Sequence, residues 1–167
     1  MPDPTYVSNV RVERVAGPLK RAHLPLDTTV LFGVHGGIAD HFGVVHGGPA
    51  EHAATLDYVV AATVACLTGT FGGALEARDI PASAPRLVAN GTGDVEVEDG
   101  ILVIKRIHVS YELTVDPDVD RAKIQRAFDH HMARCPVHRS LGSAIECTAS
   151  LTLIEQAETA DSASLAS

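Results

Sequence analysis

Two cysteines in unlike settings are the residues of this chain best suited to chemistry. Cys66 lies within an apolar, helix-like run, Tyr58–Leu67, and Cys135 ends a second helix-like segment directly before Pro136. Two thiols that a fold brings into bonding range can form and break a disulfide, which is redox chemistry. Two thiols that stay apart are ordinary side chains. The function of the chain therefore depends on the distance between these two sulfurs.

Cys66 by itself fits a buried structural thiol, because apolar burial raises the pKa of a thiol and makes it inert. Its helix face changes that expectation, since at 3.6 residues per turn the positions beside it are mostly small. Those positions are Val59, Ala62, Thr63, Gly69, Thr70 and Gly73. A face of small side chains leaves room for a second helix or for a pocket beside the sulfur, and the sequence does not choose between the two.

Cys135 is predicted to cap a short helix that begins at Pro136. Backbone N–H groups and the positive end of the helix dipole favour a thiolate at such a cap, and His138 and Arg139 lie within the next turn. The alternative is a cysteine that merely closes a helix before a proline. A third cysteine, Cys147, continues the apolar stripe of a strand and is predicted to be a core residue.

Two groups of histidines raise the alternative of a metal site. One surrounds the second cysteine and the other lies in a loop; their members are His130, His131, Cys135 and His138, and His35, His41, His46 and His52. Neither group has the paired spacing of a CxxC or HExxH motif. We therefore expect neither a metal nor a cofactor, and a metal-binding regulator is a minor alternative.

Hydrophobic periodicity predicts the elements that must position these thiols. Strands are predicted over residues 7–16, 27–34, 86–97, 101–115 and 144–154, and helices over 51–78, 119–134 and from 136 to near 142. The strand over 101–115 alternates most clearly, with Ile107, Val109, Tyr111, Leu113 and Val115 on one face. Asp99-Gly100 before it predicts a hairpin turn, and the glycine- and histidine-rich residues 35–48 predict a loop.

The long predicted helix lacks charge between Asp57 and Glu76, yet it is rich in alanine and glycine. This composition favours a buried core helix over a membrane span. The order of elements predicts one α+β domain over residues 1–155 with antiparallel sheets. Residues 156–167 are mostly small or acidic and are predicted to be a disordered tail.

Composition limits the partners of the chain. Lys and Arg total 13 and Asp and Glu total 21, so the net charge is −8. An acidic surface argues against nucleic acid or an anionic membrane as a partner. The N-terminal residues lack the basic and apolar regions of a signal peptide. We therefore expect a cytoplasmic protein, in which any disulfide is transient and catalytic or sensory.

Two segments of the sequence resemble the osmotically inducible protein C and organic hydroperoxide resistance (OsmC/Ohr) family. Residues Thr55–Cys66 are similar to the family's helix that leads into its first cysteine. Residues Cys135–Leu141, which begin Cys-Pro-Val, resemble its second cysteine motif. The order of the predicted elements also agrees with the family, and the resemblance covers residues 50–154.

The resemblance implies an OsmC-like fold, with antiparallel sheets around a long central helix, and an intertwined homodimer with two active sites at the shared interface. It implies thiol-dependent reduction of organic (alkyl or lipid) hydroperoxides, an antioxidant activity in the response to oxidative stress. It assigns Cys66 as the peroxidatic cysteine and Cys135 as the resolving cysteine, although the local sequence gives Cys135 the better thiolate environment. An external dithiol is the implied reductant.

Peroxidases of the family hold the attacking thiolate with an arginine from the N-terminal region and a glutamate near the start of the helix. The resemblance places Asp57 at the position of this acid, nine residues before Cys66 and hence on the opposite side of a straight helix. Glu51 is the other candidate acid. The candidate arginines, among which no motif chooses, are Arg11, Arg14 and Arg21. The alternative function is a non-catalytic protein on the same scaffold that binds a small molecule or lipid.

Overall fold

The computed structural model describes residues 3–156 of the chain. In chain order the elements are β1 (Arg11–Ala16), β2 (Leu19–Leu24), β3 (Thr28–Phe32), α1 (Gly36–His41), α2 (Thr55–Glu76), β4 (Leu87–Glu98), β5 (Ile101–Val115), α3 (Arg121–Arg134), α4 (Pro136–Leu141) and β6 (Glu146–Glu155). The strands form two sheets, ordered β1-β2-β3 and β4-β5-β6. The predicted α+β class is confirmed.

The described residues group into two compact units. One holds the chain up to Val59 together with Val97–Leu102, and the other holds Val60–Glu96 and the chain from Val103 onward. The single domain expected over residues 1–155 stays a prediction. The predicted disordered tail lies outside the described residues except for Gln156, whose N–H donates to Val115 O.

The first unit contains an antiparallel meander and a short helix. β1 pairs with β2, and β2 pairs with β3. Of these strands only β2 was not predicted, because its sequence, Leu-Lys-Arg-Ala-His-Leu, has no alternation of apolar and polar residues. The short helix α1 replaces part of the predicted loop. It begins after His35, whose carbonyl accepts from the N–H groups of Ile38 and Ala39 at 3.1 Å each.

The start of α2 is set by pairing with the end of β3. The helix was predicted from residue 51, but the residues before Thr55 form turns and pair with the residues after β3 instead. Gly33 N–H donates to Ala53 O and Val34 N–H to Ala50 O, each at 3.0 Å. Gly33 permits this approach because a Cβ there would lie 2.1 Å from Ala50 O.

The core of the second unit lies between α2, β5 and α3. The predicted apolar face of β5 is confirmed, since each of its five members is at most 1% exposed. From the two helices the fully or almost fully buried residues are Thr63, Leu67, Phe71 and Leu75, and Ile124, Ala127 and His131. The Phe71 ring lies 5.0 Å from the Tyr111 ring and 5.1 Å from the His131 ring, measured between centroids.

Two glycines of β4 allow α2 to lie close to the sheet. A Cβ on Gly91 would lie 2.2 Å from Val64 Cγ2, and one on Gly93 would lie 2.4 Å from Val60 Cγ2. No larger residue fits at either position without displacing the helix. These glycines therefore set the separation between β4 and the helix that carries Cys66.

The second sheet is mixed. The predicted hairpin turn between β4 and β5 is confirmed, with φ of 51° at Asp99 and 79° at Gly100, the positive values of a type I′ turn. β6, however, pairs with β5 in parallel, so the prediction of purely antiparallel sheets is wrong here. The crossover through α3 and α4 returns the chain to the end of the sheet where β5 began, which makes the following strand parallel.

The long helix α2 is buried on one face only. It is long and apolar enough to cross a bilayer, with a mean hydropathy of 1.6, and 22% of that window is buried within the chain. Length and composition alone are weak evidence for a membrane span. The prediction of a buried core helix is thus right for the face that carries Leu67 and Phe71. The opposite face, Ala62, Ala65, Gly69 and Gly73, is exposed, and we call it the small-residue face.

Candidate active site

Cys66 lies in the middle of α2, at the margin between its buried face and the small-residue face. Its side chain is partly exposed. One turn later, Thr70 Oγ1 donates to Cys66 O at 2.8 Å, so the backbone at this position stays helical and the threonine hydroxyl is directed back along the helix. Of the small neighbours predicted around Cys66, Thr63 is buried in the core, whereas Ala62, Gly69 and Gly73 are exposed and leave one side of the helix open in the single chain.

Cys135 occupies the junction between α3 and α4 and is completely buried. Its backbone φ and ψ of −76° and 119° end one helix and begin the next. As predicted, Pro136 takes the first helical position and the Cys135 sulfur caps the helix, accepting the His138 N–H at 3.5 Å. One residue therefore serves as the last position of α3 and the first of α4.

The fold brings Cys66 and Cys135 together. All three cysteines are free thiols, and the Cys66 thiol lies near enough to that of Cys135 to raise its pKa. Burial raises the pKa of Cys135, and the contact with Cys66 raises it further, against the opposing effect of the His138 and Val137 N–H groups. The expectation that the helix cap favours a Cys135 thiolate is therefore wrong, because desolvation outweighs the cap.

Cys147 is the third thiol of the same region. It lies on the half-buried face of β6, opposite Ile107 of β5, as the strand pattern predicted. Its Sγ lies 3.6 Å from Ile145 O. Burial raises the pKa of Cys147, and the charge of Cys135 raises it further. Sequence analysis gave no sign of this proximity, since the two cysteines belong to different elements.

A buried polar pair lies beside the thiols. His131 Nδ1 lies 2.6 Å from Phe128 O, and its Nε2 lies 3.2 Å from the Tyr111 hydroxyl. Because a carbonyl only accepts, Nδ1 carries the proton, and the Tyr111 O–H donates to Nε2. Burial lowers the pKa of His131, and His138 lowers it further, so the imidazole is neutral at physiological pH.

The histidines near Cys135 are committed to protein partners. His131 has the contacts just described, and His138 Nδ1 donates to Met132 O at 2.9 Å. No group of three or more His, Cys, Asp or Glu side chains is arranged to hold a metal within residues 3–156. The proposed metal set around Cys135 therefore has no support from geometry.

Two of the four loop histidines pair with carboxylates. His35 Nε2 lies 2.6 Å from Asp57 Oδ2, and His46 Nε2 lies 2.8 Å from Asp40 Oδ1. The bond to Asp40 raises the pKa of His46. The four histidines do not converge on a metal-binding group within the described part of the chain.

Both candidate acids have hydrogen-bond partners in the first unit. Asp57 Oδ2 accepts the Ala54 N–H at 2.6 Å in addition to its contact with His35, so the carboxylate stabilises the start of α2. Glu51 accepts the N–H of Gly47. The assignment of either residue to thiolate activation stays a prediction.

The three candidate arginines also have local partners. Arg11 pairs with Glu13, Arg21 lies 4.0 Å from the same carboxylate, and Arg14 donates to Gly17 O at 2.9 Å. All three lie on the exposed surface of the first sheet. The choice among them as an activating residue stays open.

An open cavity of about 340 Å³ lies within the first unit. Its walls are mainly apolar and include Val34, Ile38, Phe42, Leu56, Ile101 and Leu102. Lys20 and His41 are its titratable lining residues, and no carboxylate lines it. Sequence analysis missed this cavity because its walls come from five separate segments.

Comparison with known proteins finds one family and many similar folds. The profile of the OsmC-like protein family matches residues 48–150. Comparison with curated proteins finds no significant match. Among solved structures, an OsmC-like protein from Mycoplasma pneumoniae superposes with a TM-score of 0.69 at 17% identity, covering 90% of this chain and 99% of its own.

Two further structures show the same fold. The organic hydroperoxide resistance protein OhrB of Bacillus subtilis superposes with a TM-score of 0.62 at 15% identity, covering 89% of this chain and 100% of its own. An OsmC-like protein of unknown function from Vibrio cholerae superposes with a TM-score of 0.71 at 9% identity, with the same coverage. At these identities the likeness establishes the fold, and the predicted OsmC-like architecture is confirmed.

Proposed function

We propose that this chain, which belongs to the OsmC-like protein family, is a thiol peroxidase that reduces organic hydroperoxides through Cys66 and Cys135. The observation that carries the proposal is that the fold brings these two free thiols, which lie 69 residues apart in sequence, near enough for Cys66 to raise the pKa of Cys135. A structural role does not require two free thiols near each other. A peroxidatic and a resolving cysteine must reach each other to form a disulfide.

The proposed reaction begins at Cys66. Its thiolate attacks one oxygen of the hydroperoxide, the O–O bond breaks, and an alcohol leaves after taking up a proton. Cys66 becomes a sulfenic acid. The Cys135 sulfur then attacks the Cys66 sulfur, and the hydroxyl group leaves as water with the thiol proton. An external dithiol of the reducing cytoplasm opens the resulting disulfide by exchange and restores both thiols.

The unequal settings of the two thiols support these roles. Cys66 is partly exposed, so a substrate can approach its sulfur. Cys135 is completely buried and its pKa is raised, so it keeps its proton and stays shielded from peroxide. A protonated thiol supplies the proton that the hydroxyl needs when it leaves Cys66 as water. The apolar and small side chains of α2 on either side of Cys66 favour alkyl or lipid hydroperoxides over hydrogen peroxide.

Stopped-flow consumption of cumene hydroperoxide, with dithiothreitol as reductant, tests the proposal. We expect Cys66→Ser to abolish consumption. Cys135→Ser should complete one turnover to a Cys66 sulfenic acid, detectable with dimedone, without forming a disulfide. Cys147→Ser is the matched control and should keep both activities. Equal rates in all four proteins would rule out a peroxidase that uses this pair.

A homodimer is the second part of the proposal. The small-residue face of α2 is exposed in the single chain, although the helix lacks charge over most of its length. Small residues on such a face let a second helix approach closely. Packing of this face against a second copy would bury it beside Cys66 and provide residues from the partner chain to the thiol. The expected intertwined dimer is therefore consistent with the exposed surface.

The cavity of the first unit favours a second candidate function, binding of an apolar monocarboxylate without turnover. Its apolar walls suit an alkyl chain. Lys20 provides a positive charge for a carboxylate, and no acidic side chain of the described residues lines the cavity. Isothermal titration calorimetry with decanoate and decanol tests this. Lys20→Met should weaken the binding of decanoate about tenfold and leave the affinity for decanol unchanged. Lys123→Met should alter neither affinity. Absence of decanoate binding would exclude this candidate.

A further inference from the structure

The hydroxyl of Tyr111 is a junction between the elements that carry the two thiols. Tyr111 lies on β5 and is 1% exposed. Its hydroxyl lies 3.2 Å from His131 Nε2 on α3, and the side chain of Thr68 on α2 is near enough to affect its pKa. Thr68 follows Cys66 by two residues, and His131 precedes Cys135 by four. The hydroxyl thus bonds to the helix that ends at Cys135 and lies beside the helix of Cys66.

Aromatic rings fix this junction from all sides. Phe71 and Phe128 lie 5.0 Å and 6.3 Å from the Tyr111 ring, and 5.1 Å and 5.3 Å from the His131 ring, between centroids. The cluster would fill the same volume with phenylalanine in place of Tyr111. A hydroxyl and an imidazole in such a core require each other, since a buried polar group left without a hydrogen-bond partner is destabilising. Packing alone does not explain why the pair is polar.

Tyr111 of this pair also interacts electrostatically with the thiol site. Burial raises the pKa of Tyr111, and the charge of Cys135 raises it further, so the hydroxyl and the resolving sulfur lie within interaction range. Tyr111 therefore stays a hydrogen-bond donor through the pH range of the proposed reaction. His131 stays its neutral acceptor, because burial disfavours the imidazolium.

We propose that Tyr111 and His131 are positioning residues that hold Cys135 within bonding range of Cys66. The bond between them anchors the last turn of α3 to β5, and the same hydroxyl lies beside Thr68 of α2. This inference rests on the proposed redox pair but concerns the ease with which the disulfide forms. Loss of the bond lowers the effective concentration of one thiol at the other and makes the disulfide easier to reduce.

The redox potential of the thiol pair tests the proposal without any peroxide. It is measured by equilibration with glutathione in a Cys147→Ala background, so that only Cys66 and Cys135 can pair. We expect Tyr111→Phe to lower the effective concentration about tenfold, which makes the potential about 30 mV less negative. Stopped-flow measurement should show the same loss in the rate of disulfide formation and none in the rate of sulfenic acid formation.

Matched variants separate positioning from general stability. Tyr58→Phe removes another tyrosine hydroxyl, which donates to Leu31 O at 3.0 Å in the first unit, and should leave the potential unchanged. His131→Leu should reproduce the shift of Tyr111→Phe. His131→Gln, whose amide oxygen accepts from Tyr111, should recover most of it. The double variant Tyr111→Phe/His131→Leu should not exceed the larger single shift, since both remove one bond.

An unchanged potential in both Tyr111→Phe and His131→Leu would overturn the proposal, and so would an equal shift in Tyr58→Phe. If Tyr111→Phe fails to fold, the redox potentials of His131→Leu and His131→Gln test the proposal instead. Failure of the proposed function has a different signature. A protein that forms the disulfide with glutathione yet consumes no hydroperoxide would refute the peroxidase while leaving the positioning role measurable.

Discussion

The two thiols of the pair differ in burial more than in local sequence. Cys66 lies within α2 beside an open face, whereas Cys135 follows α3 and is completely buried. Burial and the contact with Cys66 raise the pKa of Cys135, although His138 donates its N–H to the sulfur. Their reactivity with external reagents should therefore differ strongly.

We expect iodoacetamide to modify Cys66 before Cys135. At neutral pH Cys135 should react at least about tenfold more slowly, because only the thiolate reacts and burial disfavours it. Its rate should rise only above the ordinary thiol pKa of about 8.5. Peptide mass spectrometry of a timed reaction measures both rates. In urea the two cysteines should react alike, and equal rates in the folded protein would contradict the prediction.

For individual residues, the sequence allowed the start of a helix or the face of a strand to be predicted, but not the burial or the hydrogen-bond partner of a side chain. The cap geometry of Cys135 followed from Pro136, since proline marks a first helical turn. The raised pKa did not follow, because burial of the sulfur depends on β5 and α2, which are remote in sequence. Tyr111 was predicted only as one of five inward residues, and no local pattern pairs it with His131. Such pairs arise from tertiary contacts.

At the scale of elements, the separation of α2 from β4 is set by Gly91 and Gly93. This separation also sets the depth at which α2 presents Cys66. A methyl group at Gly91 meets Val64, which lies two residues before the thiol. Packing in this layer therefore bears on both stability and the site.

Gly91→Ala should lower the free energy of unfolding by about 1–3 kcal/mol, because its Cβ would lie 2.2 Å from Val64 Cγ2. Urea denaturation measures the loss. Val64→Ala removes the clashing methyl group, so in that background the added cost of Gly91→Ala should largely disappear. A cost that is the same in both backgrounds would show that the clash is not its cause.

The start of α3 offers a simpler test. Asp120 caps the helix, with Oδ1 accepting from Ala122 N at 2.9 Å and Lys123 N at 3.2 Å. Asp120→Ala should lower the free energy of unfolding by about 1 kcal/mol in urea denaturation. Asp118→Ala removes a nearby carboxylate of the same charge and should change it by less than about 0.5 kcal/mol. An equal loss of unfolding free energy in the two variants would indicate a general effect of negative charge rather than helix capping.

The sequence predicted most elements to within a few residues, and its errors have physical causes. The strand over 101–115 and the end of α3 at residue 134 agree with the structure, because periodicity and Cys-Pro are strong local signals. The first residues of the predicted long helix are instead paired with β3 through Gly33. The parallel direction of β6 was missed because a strand's own sequence does not encode the direction of its neighbour.

At the scale of the whole molecule, the small-residue face of α2 is the surface with the clearest need of a partner. It lies on a helix whose charged residues, Asp57 and Glu76, occur only near its ends. The face adjoins Cys66, so any assembly through it would also enclose the thiol site. The proposed activity and the proposed homodimer thus depend on one surface.

Ala65→Arg should convert the proposed dimer to a monomer, because a guanidinium at the centre of the small-residue face prevents close helix packing and is costly to bury unpaired. Sedimentation velocity measures the change in mass. Ala133→Arg, at an exposed position of α3, is the matched control and should leave the mass unchanged. A wild-type protein that sediments as a monomer would disprove the dimer.

Cys135 is both a proposed redox thiol and the cap of α4, so its oxidation should alter the backbone of that helix. In the reduced protein its sulfur accepts the His138 N–H and so completes the first turn of α4. In a disulfide with Cys66 the Cys135 sulfur would be turned toward its new partner and away from the His138 N–H. Each cycle of disulfide formation and reduction would therefore loosen and restore one turn of helix, and the His138 amide would exchange its proton with solvent faster in the oxidised protein, making it a built-in reporter of oxidation state.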